Sequence, residues 1–207
     1  MTLKALCLTA LTAASLSGCA AITSLSEASR PLEIYELRTP EIAQAPARRG
    51  AVELVVEEPI ASGSLATERI MIRPGPLQAQ YLPGVRWSDT APVMLQTLLV
   101  RTLTQTGAFA SVGRRPLGSH GDYALLGELT DFQAEAPADA ETATVRLRVV
   151  FRLVREDDAS VAATRSFEVT EPAASPEPED VVAAFDRATQ HLLSEITDWV
   201  VTRRGLG

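Results

Sequence analysis

TVRLRVVFRLVR, residues 144–155, alternates apolar and polar side chains along most of its length. Val145, Leu147, Val149, Phe151 and Leu153 fall on one side, Arg146, Arg148 and Arg152 on the other. A period of two marks a strand with one buried and one wet face. A strand this long needs neighbours, and the flanking sequence offers them. Upstream, residues 123–132 read as a strand, joined through the turn-forming APADAE at 136–141. Downstream, Glu156-Asp157-Asp158 makes a second turn, and residues 161–169 return. Turns this short favour antiparallel neighbours, so a meander is predicted here.

Further out, AVELVVEE at 51–58 alternates Val52, Leu54 and Val56 against Glu53, Val55 and Glu57, until Pro59 ends the run. Residues 69–73 and 78–82, separated by PGPL, read as a hairpin. Short strands are expected at 32–37 and 109–112, with irregular loops at 38–50 and 113–122. Ser88-Asp89-Thr90-Ala91-Pro92 carries capping side chains and an early proline, the start signals of a helix. Ala91, Met94, Leu95, Leu98, Leu99 and Leu103 supply its apolar stripe, and Gly107 ends it. The proline-rich EPAASPEPED leads to a last helix striped by Val181, Val182, Phe185, Ala188, Leu192, Leu193, Ile196, Trp199 and Val200. Together these elements predict an α+β fold: one mixed, largely antiparallel sheet with two amphipathic helices packed on one face.

The amino-terminal segment has a different character. Lys4 precedes an apolar run of mostly Leu and Ala that ends in Leu16-Ser17-Gly18-Cys19. A cation, a short apolar stretch and small residues are the layout of a secretory signal. The run falls short of the ~20 residues that span a bilayer. Leu16-Ser17-Gly18-Cys19 resembles the bacterial lipobox, which implies cleavage before Cys19 and acylation of that cysteine. Cys7 lies in the removed piece, so an acylated mature chain keeps no thiol for a disulfide and must rely on a hydrophobic core. The expected organisation is a signal peptide at 1–18, a lipidated tether at 19–31 and a single periplasmic domain at 32–207. Ala20, in place of the Asp that often retains lipoproteins in the inner membrane, points to the outer membrane.

The chain of 207 residues carries a net charge of −7. An acidic balance argues against nucleic acid, which calls for a basic stripe, and against broad adhesion to anionic headgroups. Two histidines are present. His191 reads as a helix-surface or packed residue. His120, in Ser119-His120-Gly121-Asp122, sits among the residue types of a nucleophilic triad, but contiguous residues rarely converge into a relay, and turn chemistry is the stronger reading. No Walker A pattern occurs, and a zinc site would lack cysteine ligands. No enzyme, metal or cofactor is expected. The carboxylates Glu53 and Glu57 read as outward-facing solubility residues.

Two features suit binding. Arg146, Arg148 and Arg152 face either an acidic partner or a neighbouring subunit, or simply form a solvated face balanced by Glu128 and nearby acids. Arg73, Tyr81 and Trp87 precede the first helix, where the aromatics serve core packing or an interface.

Glu58-Pro59, Ile70-Met71-Ile72-Arg73, Tyr81 and Arg86-Trp87-Ser88 running into a leucine-rich helix resemble the ABC-type transport auxiliary lipoproteins, the PqiC-like family. Tyr35-Glu36-Leu37 is similar to that family's opening strand. The resemblance is strongest over residues 51–107 and loose after 115, and PGPLQ at 74–78 departs from it. It implies an outer-membrane docking lipoprotein without covalent chemistry. Its partners would be an ABC permease with its ATPase and an MCE-domain periplasmic protein, in a system moving phospholipid or other hydrophobic molecules. Some members form rings, which implies self-association. The competing readings are an outer-membrane assembly or envelope-stress lipoprotein without a transport partner and, last, a hydrolase using Ser119 or His120.

Overall fold

A computed structural model describes residues 31–42, 50–115, 121–137 and 140–203. The predicted meander forms its centre. Strands β8 (Tyr123–Glu135), β9 (Ala143–Arg155) and β10 (Val161–Ala173) pair antiparallel in sequence order, each 13 residues long. The alternation of β9 is borne out: Val145, Leu147, Val149 and Phe151 are wholly buried.

The free edge of β8 is covered by three short strands laid end to end and parallel to it. β2 (Glu53–Val56) pairs with its start, β3 (Ile60–Ala61) with its middle and β4 (Met71–Gly75) with its end. β5 (Gln78–Tyr81) closes the expected hairpin on β4, and β7 (Ser111–Gly113) adds parallel to β2. These eight strands make one mixed sheet. β1 (Glu33–Tyr35) pairs with β6 (Val85–Trp87) in a separate two-stranded ribbon.

Several boundaries differ from the sequence reading. The strand in the run at 51–58 is shorter, Glu53–Val56, and beyond Pro59, which cannot donate a ladder hydrogen bond, an unpredicted strand resumes pairing at Ile60. Val55, expected to face water, is buried, with Gly121 against its side chain. β10 runs on through Glu171, Pro172 and Ala173, which the sequence placed in the connection. Proline is tolerated there because β10 is an edge strand with only β9 beside it.

Helix α1 (Ala91–Gln105) starts with Pro92 in its first turn and ends at Gly107, whose φ of +63° is the left-handed geometry glycine accepts without strain. Thr90 makes no side-chain cap, although Asp89 Oδ1 accepts the Thr90 N–H at 2.8 Å. Helix α2 (Pro178–Arg203) places Glu179 and Asp180 at its positive end and Arg203 at its negative end. α2 packs on β9 and β10, and α1 on β2 and β7 and against α2, so both helices cover the same face. Every apolar residue expected in the α2 stripe is buried.

The core between layers is aromatic at both ends. Trp87 stands edge-on to Phe132 and Phe185 at 6.1 and 5.2 Å between ring centres. Phe167 does the same between Phe151 and Trp199, at 6.4 and 5.6 Å.

Candidate docking surfaces

The β4–β5 hairpin gathers most of the second group of sequence candidates. Prolines at 74 and 76 flank Gly75, and the turn presents Leu77 with 96% of its surface exposed. Tyr81 is pinned at the base of the hairpin. Its hydroxyl donates to the Ser64 carbonyl at 3.3 Å, and the Arg69 guanidinium lies 4.1 Å from its ring centre. Arg73 is half-buried beside the end of β8, where its carbonyl accepts the Ala136 N–H at 3.0 Å. Its Nε is buried without a hydrogen-bond partner. Trp87 lies apart from these two, 1% exposed in the core, where it packs and does not reach the surface.

The arginine row divides into two. Arg146 lies 3.1 Å from both Glu135 and Glu168, and Arg148 lies 2.7 Å from Glu168 and 3.5 Å from Asp131. Charge at that end of the outer sheet face is neutralised within the molecule. The Arg152 side chain has no ion-pair or hydrogen-bond partner among the described residues, and neither has that of Glu128. The acids that balance the row are therefore Glu135, Asp131 and Glu168.

Two more arginines, Arg38 and Arg115, tie loops to the frame through ion pairs. Asp186 on α2 is buried, and its carboxylate accepts the backbone N–H and Nε of Arg38 at 2.9 and 3.0 Å and the Gln190 amide at 2.7 Å. The hydrogen bond and charge of Asp186 hold the Arg38 guanidinium above its ordinary pKa. Arg115 bridges Glu57 and Glu156, and its hydrogen bond to Glu57 with the charge of Glu156 raises it likewise. Glu57 is thus a pairing residue, not the free solubility residue its strand position suggested. Neither aspartate nor glutamate in these pairs stands out in the sequence, because each finds its partner across a long separation.

A cavity of about 260 Å³ lies between residues 36–37 and α1, with Leu37, Met94 and Leu98 on its walls and Glu36, Asp89 and Arg101 around them. Among the described residues, no histidine, cysteine or serine–base pair lines it. His191 is an exposed helix residue 3.3 Å from Glu195, one turn on. No cluster of three metal-ligating side chains exists among the described residues. Cys19, Ser119 and His120 lie outside the described residues.

Residues 35–197 match the family profile of the ABC-type transport auxiliary lipoprotein component. The chain belongs to this family. An uncharacterised protein of Bradyrhizobium diazoefficiens is 31% identical over 171 residues, covering 81% of this chain and 44% of that protein. The chain therefore spans less than half the length of this curated relative. The crystal structure of a protein from Xanthomonas campestris superimposes with a TM-score of 0.74 at 26% identity, covering 82% of this chain and 95% of that one. A second crystal structure, at 17% identity and a TM-score of 0.64 over 82% of this chain, shares the fold alone. That family is described as a lipoprotein component auxiliary to ABC-type transport. Among the described residues, no helix is long and apolar enough to cross a membrane.

Proposed function

We propose that this chain is an outer-membrane-anchored periplasmic lipoprotein that acts as the docking component of an ABC–MCE system carrying lipid or other hydrophobic compounds between membranes. The match of residues 35–197 to the auxiliary lipoprotein family is the observation that carries this reading. The lipobox-like Leu16-Ser17-Gly18-Cys19 supports the anchor. Several acyl chains on Cys19, each CH₂ contributing ~0.8 kcal/mol when buried, would hold the protein stably at the bilayer. A tether at 19–31 would then leave the domain at 32–207 free to meet a periplasmic partner.

For the partner surface we assign the β4–β5 hairpin. Leu77 offers an exposed apolar tip, and Arg73 keeps a buried donor unspent. Arginine and tyrosine are among the residues enriched at interfaces, and Leu77 adds exposed apolar surface at the turn beside them. Tyr81, held by Ser64 and Arg69, stiffens the hairpin base.

Affinity capture of the acylated full-length protein from its own envelope tests the proposal. An MCE-domain protein and ABC subunits should come with it. Their absence, with other envelope proteins captured in their place, would refute the transport reading.

A further inference from the structure

We propose that the cavity beside helix α1 is a docking groove for an extended segment of a partner protein, one that carries a basic, a large apolar and an acidic residue at alternate positions. The groove is built along one face of the helix. Met94, Thr97, Leu98 and Arg101 recur at three- and four-residue spacing, so they stand in line along it. Leu37 contributes from the chain outside the helix. Leu37, Met94 and Leu98 are all buried, which makes the floor apolar. The volume of about 260 Å³ lies just below the ~300–1,000 Å³ of pockets for drug-sized ligands. A cavity of ~150 Å³ already holds a benzene ring, so this one has room for one large side chain.

The charges around that floor are sorted by sign. Glu36 and Asp89 stand where α1 begins, because the Ser88 N–H donates to the Tyr35 carbonyl at 2.9 Å and brings residue 36 alongside residue 88. Arg101 stands at the other end, about 15 Å along the helix from Ala91. Arg114 adds to the positive end, its guanidinium donating to the Thr97 hydroxyl at 3.1 Å. The side chains of Glu36 and Arg101 are exposed and have no ion-pair or hydrogen-bond partner among the described residues. Asp89 uses Oδ1 alone, to accept the Thr90 N–H. A buried apolar floor inside a polar rim is the anatomy of an interface centre, and the order of signs selects the occupant. An extended chain puts residues i, i+2 and i+4 on one face, and those positions span about 13 Å at about 3.3 Å per residue. That length matches the groove. The middle side chain fills the cavity, the basic one meets Glu36 and Asp89, and the acidic one meets Arg101.

This inference stands apart from the transport reading, because its test uses no transporter subunit. The acylated full-length protein, reconstituted in phosphatidylcholine vesicles, is titrated with the capped, fluorescein-labelled peptide Lys-Ala-Leu-Ala-Glu and read by fluorescence anisotropy against bare vesicles. The peptide should bind, and serine in place of its leucine should weaken it at least about tenfold. Lys-Ala-Leu-Ala-Lys and Glu-Ala-Leu-Ala-Glu, each mismatched at one end, should bind at least about threefold more weakly, the scale of rim charges. Arg101→Glu should reverse the ranking in favour of Lys-Ala-Leu-Ala-Lys, a gain that a misfolded chain would not show. The ranking on the parent chain decides the case even where that variant fails to fold. The proposal is overturned by no binding beyond bare vesicles up to about 1 mM peptide, by equal affinity for all the peptides, or by a folded Arg101→Glu chain that keeps the parent's ranking. Lysophosphatidylcholine displacing the peptide would also overturn it, and would give the cavity to lipid.

Discussion

Asp186 illustrates how a single side chain can decide the course of the backbone. It sits on the buried side of α2, where an aspartate is costly unless satisfied, and it takes the Arg38 N–H and guanidinium together. Asp186→Ala should lower the melting temperature and raise amide exchange around residues 36–40, while Asp186→Asn should keep part of both. Because the pairing raises the pKa of Arg38, its contribution is complete below the arginine's unfolded value and is lost only in strong alkali; a melting curve should show no loss from the arginine side across neutral pH. Trp87 acts through volume. Trp87→Ala should destabilise by about 3–5 kcal/mol, measured by denaturant unfolding. Gly127 is a matter of space: an added Cβ would stand 2.5 Å from the Phe151 ring. Gly127→Ala should cost about 1–3 kcal/mol in the same measurement, since the ring is wholly buried and has nowhere to move.

Elements were legible where one pattern governs them. β9 and both helices follow their periods of 2 and 3.6, and their buried faces are the ones the spacing predicts. β3 and β6 were not read, because each is only two or three residues long and directly follows a turn signal, Pro59 and Pro83-Gly84. The extension of β10 through Pro172 was equally hidden: proline forbids a central strand, and only the sheet order reveals that this one is at the edge. The β4–β5 hairpin was visible, but the exposure of Leu77 was not, since a leucine following a proline in a turn looks the same in sequence whether it packs or projects. On the reading that this tip docks a partner, Leu77→Asp should weaken capture of transporter subunits severalfold and leave the unfolding midpoint unchanged. A shifted midpoint would assign the leucine to folding.

For the whole molecule, the anchoring proposal rests on Cys19, outside the described residues. If Cys19 carries the acyl chains, Cys19→Ser should move the protein from the membrane fraction to the soluble fraction of the envelope, with the domain's unfolding curve unaltered. The candidate sites show the same division between local and distant information. Arg146, Arg148 and Arg152 look equivalent in TVRLRVVFRLVR, yet only Arg152 is left without a partner among the described residues. The difference comes from Glu135, Asp131 and Glu168, which reach the first two from neighbouring strands. Tyr81 and Trp87 are likewise six residues apart in the chain, but one is pinned at a hairpin base and the other enclosed among aromatics.

By itself the sequence determined the layers: which face of each long strand and helix is apolar, that two helices cover one face of a mixed sheet, and the family to which the chain resembles a member. Those properties are set by side chains a few residues apart, whose periodicity is a local quantity. Only the tertiary structure decided which charges are spent and which remain, which aromatics are enclosed, and which apolar residues stand in solvent. Each of those depends on a partner brought from far along the chain, and in a folded protein the energy of a charge or an apolar surface is fixed by what lies across from it.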